Sequence, residues 1–434
     1  MSIVFSHFLR ISHFERNMTV TKTNLIRIVA AMMLVVAMTA MSSCGLIAAL
    51  LPDFTAENYT ENNQTPEETP NSPGNPTQNG TPTPSIGEFY PGSGESSTEN
   101  VEALQRTLLS TVIITTKANL SASTGSGVFY YVDREAGDAY IITNYHVVSQ
   151  SDGSIASSIN VYLYGMELST YAIPATFLGG SRDYDIAVLK IENNEVIRNS
   201  YATAVSFADS EQVRLFDTAY AVGNPEGEGF SVTKGIISVD SESLEVTVQD
   251  GSIIELRVMR YDTPINLGNS GGGLYNDQGG LIGIVCAKKV GSDIDNIAYA
   301  IPSNLALSLV KNIIDHCDGA GMTKVNRPLL GVTITSFVIG LDINEETGEI
   351  TRVEKVEVYT IVEGGPSAGI MQVGDVINSI TIDGVTTEVT RTYHVPEAML
   401  NARVGSTVVI NVTRGEITFD ATFTIQASNI TLQQ

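Results

Sequence analysis

From residue 101 to residue 305 the chain alternates short apolar runs with polar punctuation. Runs rich in Val, Ile, Tyr and Thr stand at residues 110–116, 127–132, 139–143, 158–163, 186–191, 218–222, 230–238, 244–247, 253–258, 281–285 and 296–300, and Gly, Asp, Asn and Ser separate them. β-branched and aromatic residues in runs of this length, bounded by turn formers, predict strands. About eleven of them in about two hundred residues predict an all-β barrel or sandwich, with no helical period interrupting the series. Helical spacing first shows at residues 305–317 (LALSLVKNIIDHC), and Gly319-Ala320-Gly321 then breaks it. Residues 306–326 therefore read as a connecting helix and linker. Residues 327–430 give strand signals in another order. Strands are expected at 330–336, 353–358 and 379–382 around a turn-rich segment at 365–370, and the Asp383-Gly384 turn follows. A helix opens at Pro396, where a fixed φ suits the first turn, and strands at 407–412 and 421–425 close an α+β unit.

The N-terminal hundred residues do not fit a packed domain. Lys22 and Arg27 precede the apolar run 28–38, then Thr39 and Ala40, then Met41-Ser42-Ser43-Cys44. A basic start, a short apolar stretch and small residues describe an export signal. Cys44, after two small residues, resembles a bacterial lipoprotein processing site and would become the lipidated N-terminus. Met41 stands where such sites usually carry Leu. Residues 28–51 are also 24 residues without a charge, long enough to span a bilayer as a helix. Lipid anchor and spanning helix both stand as readings of residues 1–51. Either one tethers the rest of the chain to a membrane, outside the cytoplasm, with the basic flank inside. Residues 52–100 hold eight of the fifteen prolines and eight acidic residues, with no Lys or Arg. Such a stretch cannot bury enough apolar surface to fold and reads as a disordered acidic stalk.

Composition narrows the function classes. With 24 Lys+Arg against 48 Asp+Glu, the formal net charge of −24 argues against a nucleic-acid partner. Three cysteines (Cys44, Cys286, Cys317) supply neither a disulfide framework nor a zinc cluster, and none of the five histidines is paired at ligand spacing. No metal and no cofactor is expected. Cys286 reads as a buried thiol, with pairing to Cys317 left open.

Three short sequences carry chemistry on the β background. Thr143-Asn144-Tyr145-His146-Val147-Val148 puts a histidine just after a strand, and Asp183-Tyr184-Asp185-Ile186 puts an aspartate just before one. Gly268-Asn269-Ser270-Gly271-Gly272-Gly273 puts a serine in a glycine-rich loop. Serine is a weak nucleophile at neutral pH; it needs a base within hydrogen-bond reach, and the base needs a third group to fix its tautomer. Flexible glycines let backbone N–H groups converge where an oxyanion would form. His146, Asp185 and Ser270 follow one another at intervals of 39 and 85 residues, and His146 is the only histidine between residues 101 and 305. Asp183 is the rival for the acidic role. The chain order is that of the chymotrypsin-like double barrel, and differs from the subtilisin and α/β-hydrolase orders.

These residues resemble the HtrA/Deg family of serine proteases. The matching stretches are residues 143–148, 185–189, 221–225 (AVGNP), 231–238 (SVTKGIIS), 265–274 (INLGNSGGGL) and 298–304 (AYAIPSN), six motifs in the family order. The resemblance implies a chymotrypsin-like double β-barrel over residues 101–305, with Ser270 as nucleophile, His146 as general base and Asp185 as orienting carboxylate. It implies an oxyanion hole from the N–H groups of Gly268 and Ser270, with Asn269 setting the turn between them. A specificity pocket lined by residues 282–287 and the Ile265 loop would favour an apolar substrate side chain. Residues 327–430 resemble a PDZ domain, whose Leu329-Leu330-Gly331-Val332 loop would hold a peptide C-terminus by strand addition. His394 stands as either a ligand contact or a solvated side chain. The family implies unfolded or misfolded polypeptides as substrates and a homotrimer as the assembly. Leu267 and Gly273 stand where the family usually has Pro. Gly273 is expected to loosen the backbone after the serine. A membrane-tethered peptide-binding adaptor with an idle protease domain is the alternative function.

Overall fold

The apolar runs of residues 111–191 become neighbours in a ring. The computed structural model describes residues 85–86, 97–118, 121–150, 152–166, 169–247, 252–288, 296–316, 325–346 and 350–433. Strands β1 (Ser85–Ile86), β2 (Thr111–Ala118), β3 (Ser121–Asp133), β4 (Asp138–Thr143), β5 (Ser158–Leu163), β6 (Ile173–Ser181) and β7 (Ile186–Ile191) form an antiparallel sheet in the order β1-β3-β2-β5-β6-β7-β4. β4 pairs back onto β3, with Val128 opposite Ile142, and closes six of them into a barrel. A second barrel closes in the order β10-β13-β12-β11-β8-β9. Its strands are β8 (Thr218–Gly223), β9 (Ser231–Thr247), β10 (Ile253–Tyr261), β11 (Gly273–Tyr275), β12 (Leu281–Lys288) and β13 (Ala298–Pro302). Alternation along each strand sends Ile114, Phe129, Ile141 and Leu189 into the first barrel and Ala221, Tyr261, Leu274 and Val285 into the second. A further cluster joins Ile142, Ile186 and Val188 to Val222, Tyr275 and Ile284, and reaches Leu305, Leu309 and Ile313. Thus the seam between the barrels is itself core.

Four expectations need correction. Residues 85–86, read as part of the stalk, form β1, which pairs with β3 and sets Ser85 opposite Val132. Residues 97–110, read as the end of the stalk to residue 100, then as unassigned domain sequence, with a strand opening at 110, form a 14-residue helix, α1 (Ser97–Ser110), and the first barrel strand begins at Thr111. The hydroxyls of Ser110 and Thr111 donate to Thr107 O at 3.1 and 2.8 Å and close its last turn. The apolar stripe of this helix is only Val101, Leu104, Leu108 and Leu109, and it merges with the β-branched run that follows. β6 was not expected, because Pro174 and Gly179-Gly180 argue against a strand. Pro174 falls near the strand's start, and a register shift accommodates the region between Phe177 and Gly179. Residues 231–247 form one continuous strand instead of two. Backbone pairing with β10 runs through polar Glu242 and Ser243, opposite Val258 and Arg257.

Short helices α2 (Tyr145–Val148) and α3 (Glu195–Arg198) decorate the first barrel. The expected connecting helix is α4 (Ser303–Asp315). Beyond it, β14 (Val325–Pro328) pairs with β21 (Ile430–Gln433), the first and last strands of the C-terminal unit. Between them lie β15 (Val332–Ile343), β16 (Ile350–Ile361), β17 (Val376–Ile382), β18 (Val385–Glu388), α5 (His394–Met399), β19 (Thr407–Arg414) and β20 (Ile417–Thr424). The sheet order is β15-β16-β17-β19-β20, which leaves β15 on an edge. Val358, Ile380, Met399, Ile410 and Phe423 fill its core. Asn312 of α4 is fully buried and donates to Asn326 O and Leu400 O at 2.9 and 2.7 Å, tying both ends of the connection together.

The C-terminal unit also meets the second barrel through charge. The Arg257 guanidinium lies 3.5 Å from the centroid of the Tyr393 ring, 2.6 Å from Glu397 and 2.8 Å from Glu211. His394 is not the solvated side chain offered as one reading: its side chain is only 11% exposed. Its Nδ1 accepts the N–H of Thr390, which leaves Nε2 to donate to Glu211 at 3.1 Å. Burial pushes the Glu397 carboxyl up to about 7, against the pull of Arg257. Burial would also raise Glu211, but hydrogen bonds and charge from His394 and Arg257 outweigh it and bring Glu211 down to about 2. Glu397 therefore takes up a proton on docking between its ordinary 4.5 and about 7. The contact should be firmest below this window and weaken as pH rises through about 7. Glu211 opposes this only below its ordinary 4.5. Limited proteolysis at residues 316–325 should accelerate from pH 6 to pH 8, and Glu397→Gln should flatten that dependence.

Candidate active site

The histidine is delivered by a single helical turn. β4 ends at Thr143, whose Oγ1 donates to Ser126 O at 2.7 Å, and α2 then carries His146. Asp185 closes the turn before β7 with φ 50°, a left-handed conformation that Asp adopts more readily than most residues. Its N–H donates to Arg182 O at 3.2 Å, and the buried Asn144 amide donates to its carbonyl at 2.9 Å. So placed, its carboxylate accepts the backbone N–H of His146 at 3.0 Å, and its Oδ2 lies 2.8 Å from His146 Nδ1. A carboxylate only accepts, so Nδ1 carries the proton and Nε2 is left as the basic nitrogen. Partial burial lowers the affinity of the imidazole for a second proton. The charge and hydrogen bond of Asp185 outweigh that and raise the His146 pKa above its usual 6.5. Asp183 occupies the same turn, but among the described residues the carboxylate bonded to the ring is that of Asp185.

Ser270 stands in the loop between β10 and β11. Its hydroxyl donates to Cys286 O at 3.5 Å, and among the described residues no hydrogen bond joins it to the His146 ring. The two segments nevertheless abut. A carbon added at Gly125 would lie 2.6 Å from Val147 Cγ1 and 3.3 Å from Ser270 O. The loop needs its glycines. Gly268 has φ 99°, and a side chain there would overlap Asn224 O. Gly271 has φ 84° and is walled by Ser126 O and Thr143 Oγ1. Leu267 O accepts the N–H of Glu226 at 2.5 Å, Gly268 O accepts Ser126 Oγ at 2.7 Å, and Asn269 N donates to Asn266 O at 3.1 Å. Among the described residues, the N–H groups of Gly268 and Ser270 meet no acceptor.

Gly273 does not loosen this loop. It lies in β11, paired with Ile284 on one side and Val222 on the other. A side chain there would run into the ring of Tyr275. Tyr275 is fully buried, its hydroxyl is 3.2 Å from Thr111 Oγ1, and burial pushes its pKa up to about 12. Glycine at 273 makes room for that tyrosine. Leu267, by contrast, is 80% exposed. Cys286 is buried, with Sγ directed at Tyr299 O, and Cys317 lies outside the described residues.

In the C-terminal loop, Leu330 is buried, Leu329 is exposed and Gly331 has φ 74°. Leu330 O accepts Ser367 Oγ at 2.6 Å and Gly331 O accepts the N–H of Val362 at 2.8 Å. Among the described residues, the N–H groups of Leu330 and Gly331 meet no acceptor. The free edge of β15 (Val332, Ile334) and helix α5 (Val395, Met399) line a cavity of about 640 Å³. Arg257 and Tyr184 of the barrels line it as well. Cys44 and the 28–51 segment lie outside the described residues, and among those described no helix is long and apolar enough to cross a membrane.

Sequence reasoning gave no role to Ser126, Asn144, Arg257 or Glu397. Ser126 and Asn144 sit in glycine- and histidine-bearing motifs, but Gly268 and Asp185, which their side chains engage, are 142 and 41 residues away, and no local pattern announces them.

Paired barrels with an imidazole and carboxylate bonded beside a glycine-rich serine loop define a trypsin-like serine endopeptidase, and residues 125–284 match the model of the trypsin-like peptidase domain. Over 306 residues the chain is 31% identical to the serine protease Do-like HtrA of Lactococcus lactis subsp. cremoris (strain MG1363), covering 68% of each protein. The chain belongs to the HtrA/Deg family of serine proteases. It is also 34% identical over 265 residues to the periplasmic pH-dependent serine endoprotease DegQ of Escherichia coli (strain K12), covering 59% of this chain and 50% of that one. The solved structure of the HtrA-type protease AlgW with a tripeptide superposes with a TM-score of 0.51 at 29% identity, over 75% of this chain and 96% of that one.

Proposed function

We propose that the chain is an extracytoplasmic, membrane-tethered endopeptidase that cuts unfolded or misfolded polypeptides through a Ser270 acyl-enzyme. His146 Nε2 takes the Ser270 proton as Oγ attacks the scissile carbonyl, then returns it to the leaving amine. Asp185 keeps Nδ1–H in place and stabilises the imidazolium. The N–H groups of Gly268 and Ser270, which meet no acceptor among the described residues, receive the oxyanion. The observation that carries this reading is the 2.8 Å contact of Asp185 with Nδ1, which fixes the tautomer the chemistry needs. The C-terminal unit acts as a PDZ domain. A peptide C-terminus would add a strand to the β15 edge, its carboxylate meeting the N–H groups of Leu330 and Gly331. The periplasmic DegQ supports a location outside the cytoplasm, residues 1–51 supply the anchor and Cys44 its lipidation site, residues 52–84 the stalk, and the family a homotrimer.

Labelling with a serine-reactive fluorophosphonate and casein digestion test this, with Ser270→Ala as control. Parent labelling that Ser270→Ala abolishes is expected. The resting Ser270 hydroxyl, on Cys286 O rather than on the imidazole, favours the adaptor as second reading. No labelling, even with a C-terminal activating peptide present, would establish the adaptor instead.

A further inference from the structure

Ser126 holds the oxyanion loop in register from the opposite strand. It is fully buried in β3, and its polar groups are engaged in four directions. Its hydroxyl accepts the N–H of Asn224 at 3.0 Å and donates to Gly268 O at 2.7 Å, so the single proton of the hydroxyl is committed to the loop. Its backbone N–H donates to Ser270 O at 2.8 Å, and its carbonyl accepts Thr143 Oγ1 at 2.7 Å, on the strand that leads to His146. One residue thus grips the carbonyls on both sides of Asn269 and the foot of the histidine turn.

The consequence follows from peptide geometry. In a trans peptide the carbonyl and the next N–H point to opposite sides of the chain. With Leu267 O held by Glu226, the N–H of Gly268 must point away from Glu226. With Gly268 O held by Ser126, the following peptide cannot turn over. Releasing Gly268 O leaves a buried carbonyl without a partner, which favours rotation of the glycine whose N–H is to meet the oxyanion. The neighbouring glycines leave little slack. A carbon at Gly223 would lie 3.1 Å from Ser126 Oγ, and one at Gly272 would lie 3.2 Å from Ser126 Cβ.

We propose that Ser126 is a positioning residue for transition-state stabilisation, acting through Gly268 without touching substrate. This rests on the reading of Ser270 as nucleophile and of Gly268 as oxyanion donor. In the full chain, Ser126→Ala should lower kcat about tenfold to a hundredfold, less than the roughly 10²–10³ lost with a whole oxyanion donor, with KM within about twofold. Affinity for a peptide aldehyde, which forms a tetrahedral adduct, should fall by the same factor as kcat. Affinity for the corresponding peptide acid should stay unchanged. Ser126→Cys, close in size with a weak S–H donor, should fall between parent and Ser126→Ala, and it serves as the test if Ser126→Ala does not fold. Parent-like kcat and aldehyde affinity in the folded variants would overturn the inference, as would a rise in KM at constant kcat. Ser270→Ala separates the two levels. If it retains activity, the site reading itself fails; if it is inactive while Ser126→Ala equals the parent, only the role of Ser126 fails.

Discussion

Asp185→Asn should leave both barrels folded and lower kcat by about four orders of magnitude. Asn tolerates the left-handed φ of 50° as well as Asp does, so the turn before β7 survives. What changes is the partner of Nδ1. A neutral amide neither stabilises the imidazolium nor requires the proton to sit on Nδ1, and turning its NH₂ toward the ring selects the tautomer that blocks Nε2. The pH profile distinguishes this from simple misfolding. Activity needs His146 unprotonated, so in the parent it should rise through a limb above the ordinary imidazole value of 6.5, because Asp185 raises it. In Asp185→Asn the residual activity should rise at lower pH, since the attraction is gone while the burial remains. A residual limb in the same place would show that Asp185 does not act on this ring.

The second large effect is expected at Gly268. Gly268→Ala places a carbon against Asn224 O at a φ of 99° that side-chain-bearing residues avoid. The Gly268 peptide has to rotate, and kcat should fall by about 10²–10³ with little change in KM. Gly229→Ala is the matched control. Its φ of 111° is equally unfavourable, but no atom lies within 4 Å of the added carbon. Near-parent kcat in Gly229→Ala beside the loss in Gly268→Ala would locate the effect at the oxyanion loop. Equal losses would mean that general backbone strain explains both, and would count against the assigned hole.

The barrels were legible because their strands follow simple alternation, and the His146–Asp185 pair because each member sits at the edge of such a strand. Pairing, by contrast, is set by partners far away in the chain. β6 carries Pro174 and two glycines that local propensity reads as loop, yet β7 supplies its ladder. Gly273 illustrates the same limit. Beside a catalytic motif a glycine suggests freedom, and only the position of the Tyr275 ring shows that it is a space requirement. The contacts of Arg257 with Glu211 and Glu397 join residues 46 and 140 positions apart, across a distance that no short motif spans.

The β14–β21 pair sets Asn326 opposite Leu432, so the chain enters and leaves the C-terminal unit at one place. A body clasped at its own ends keeps its internal structure independently of what holds it to the barrels. Asn312 ties that clasp to α4, bonded to Asn326 and Leu400. Cutting the backbone between residues 316 and 325 should then leave the unit folded and docked, its two ends still side by side.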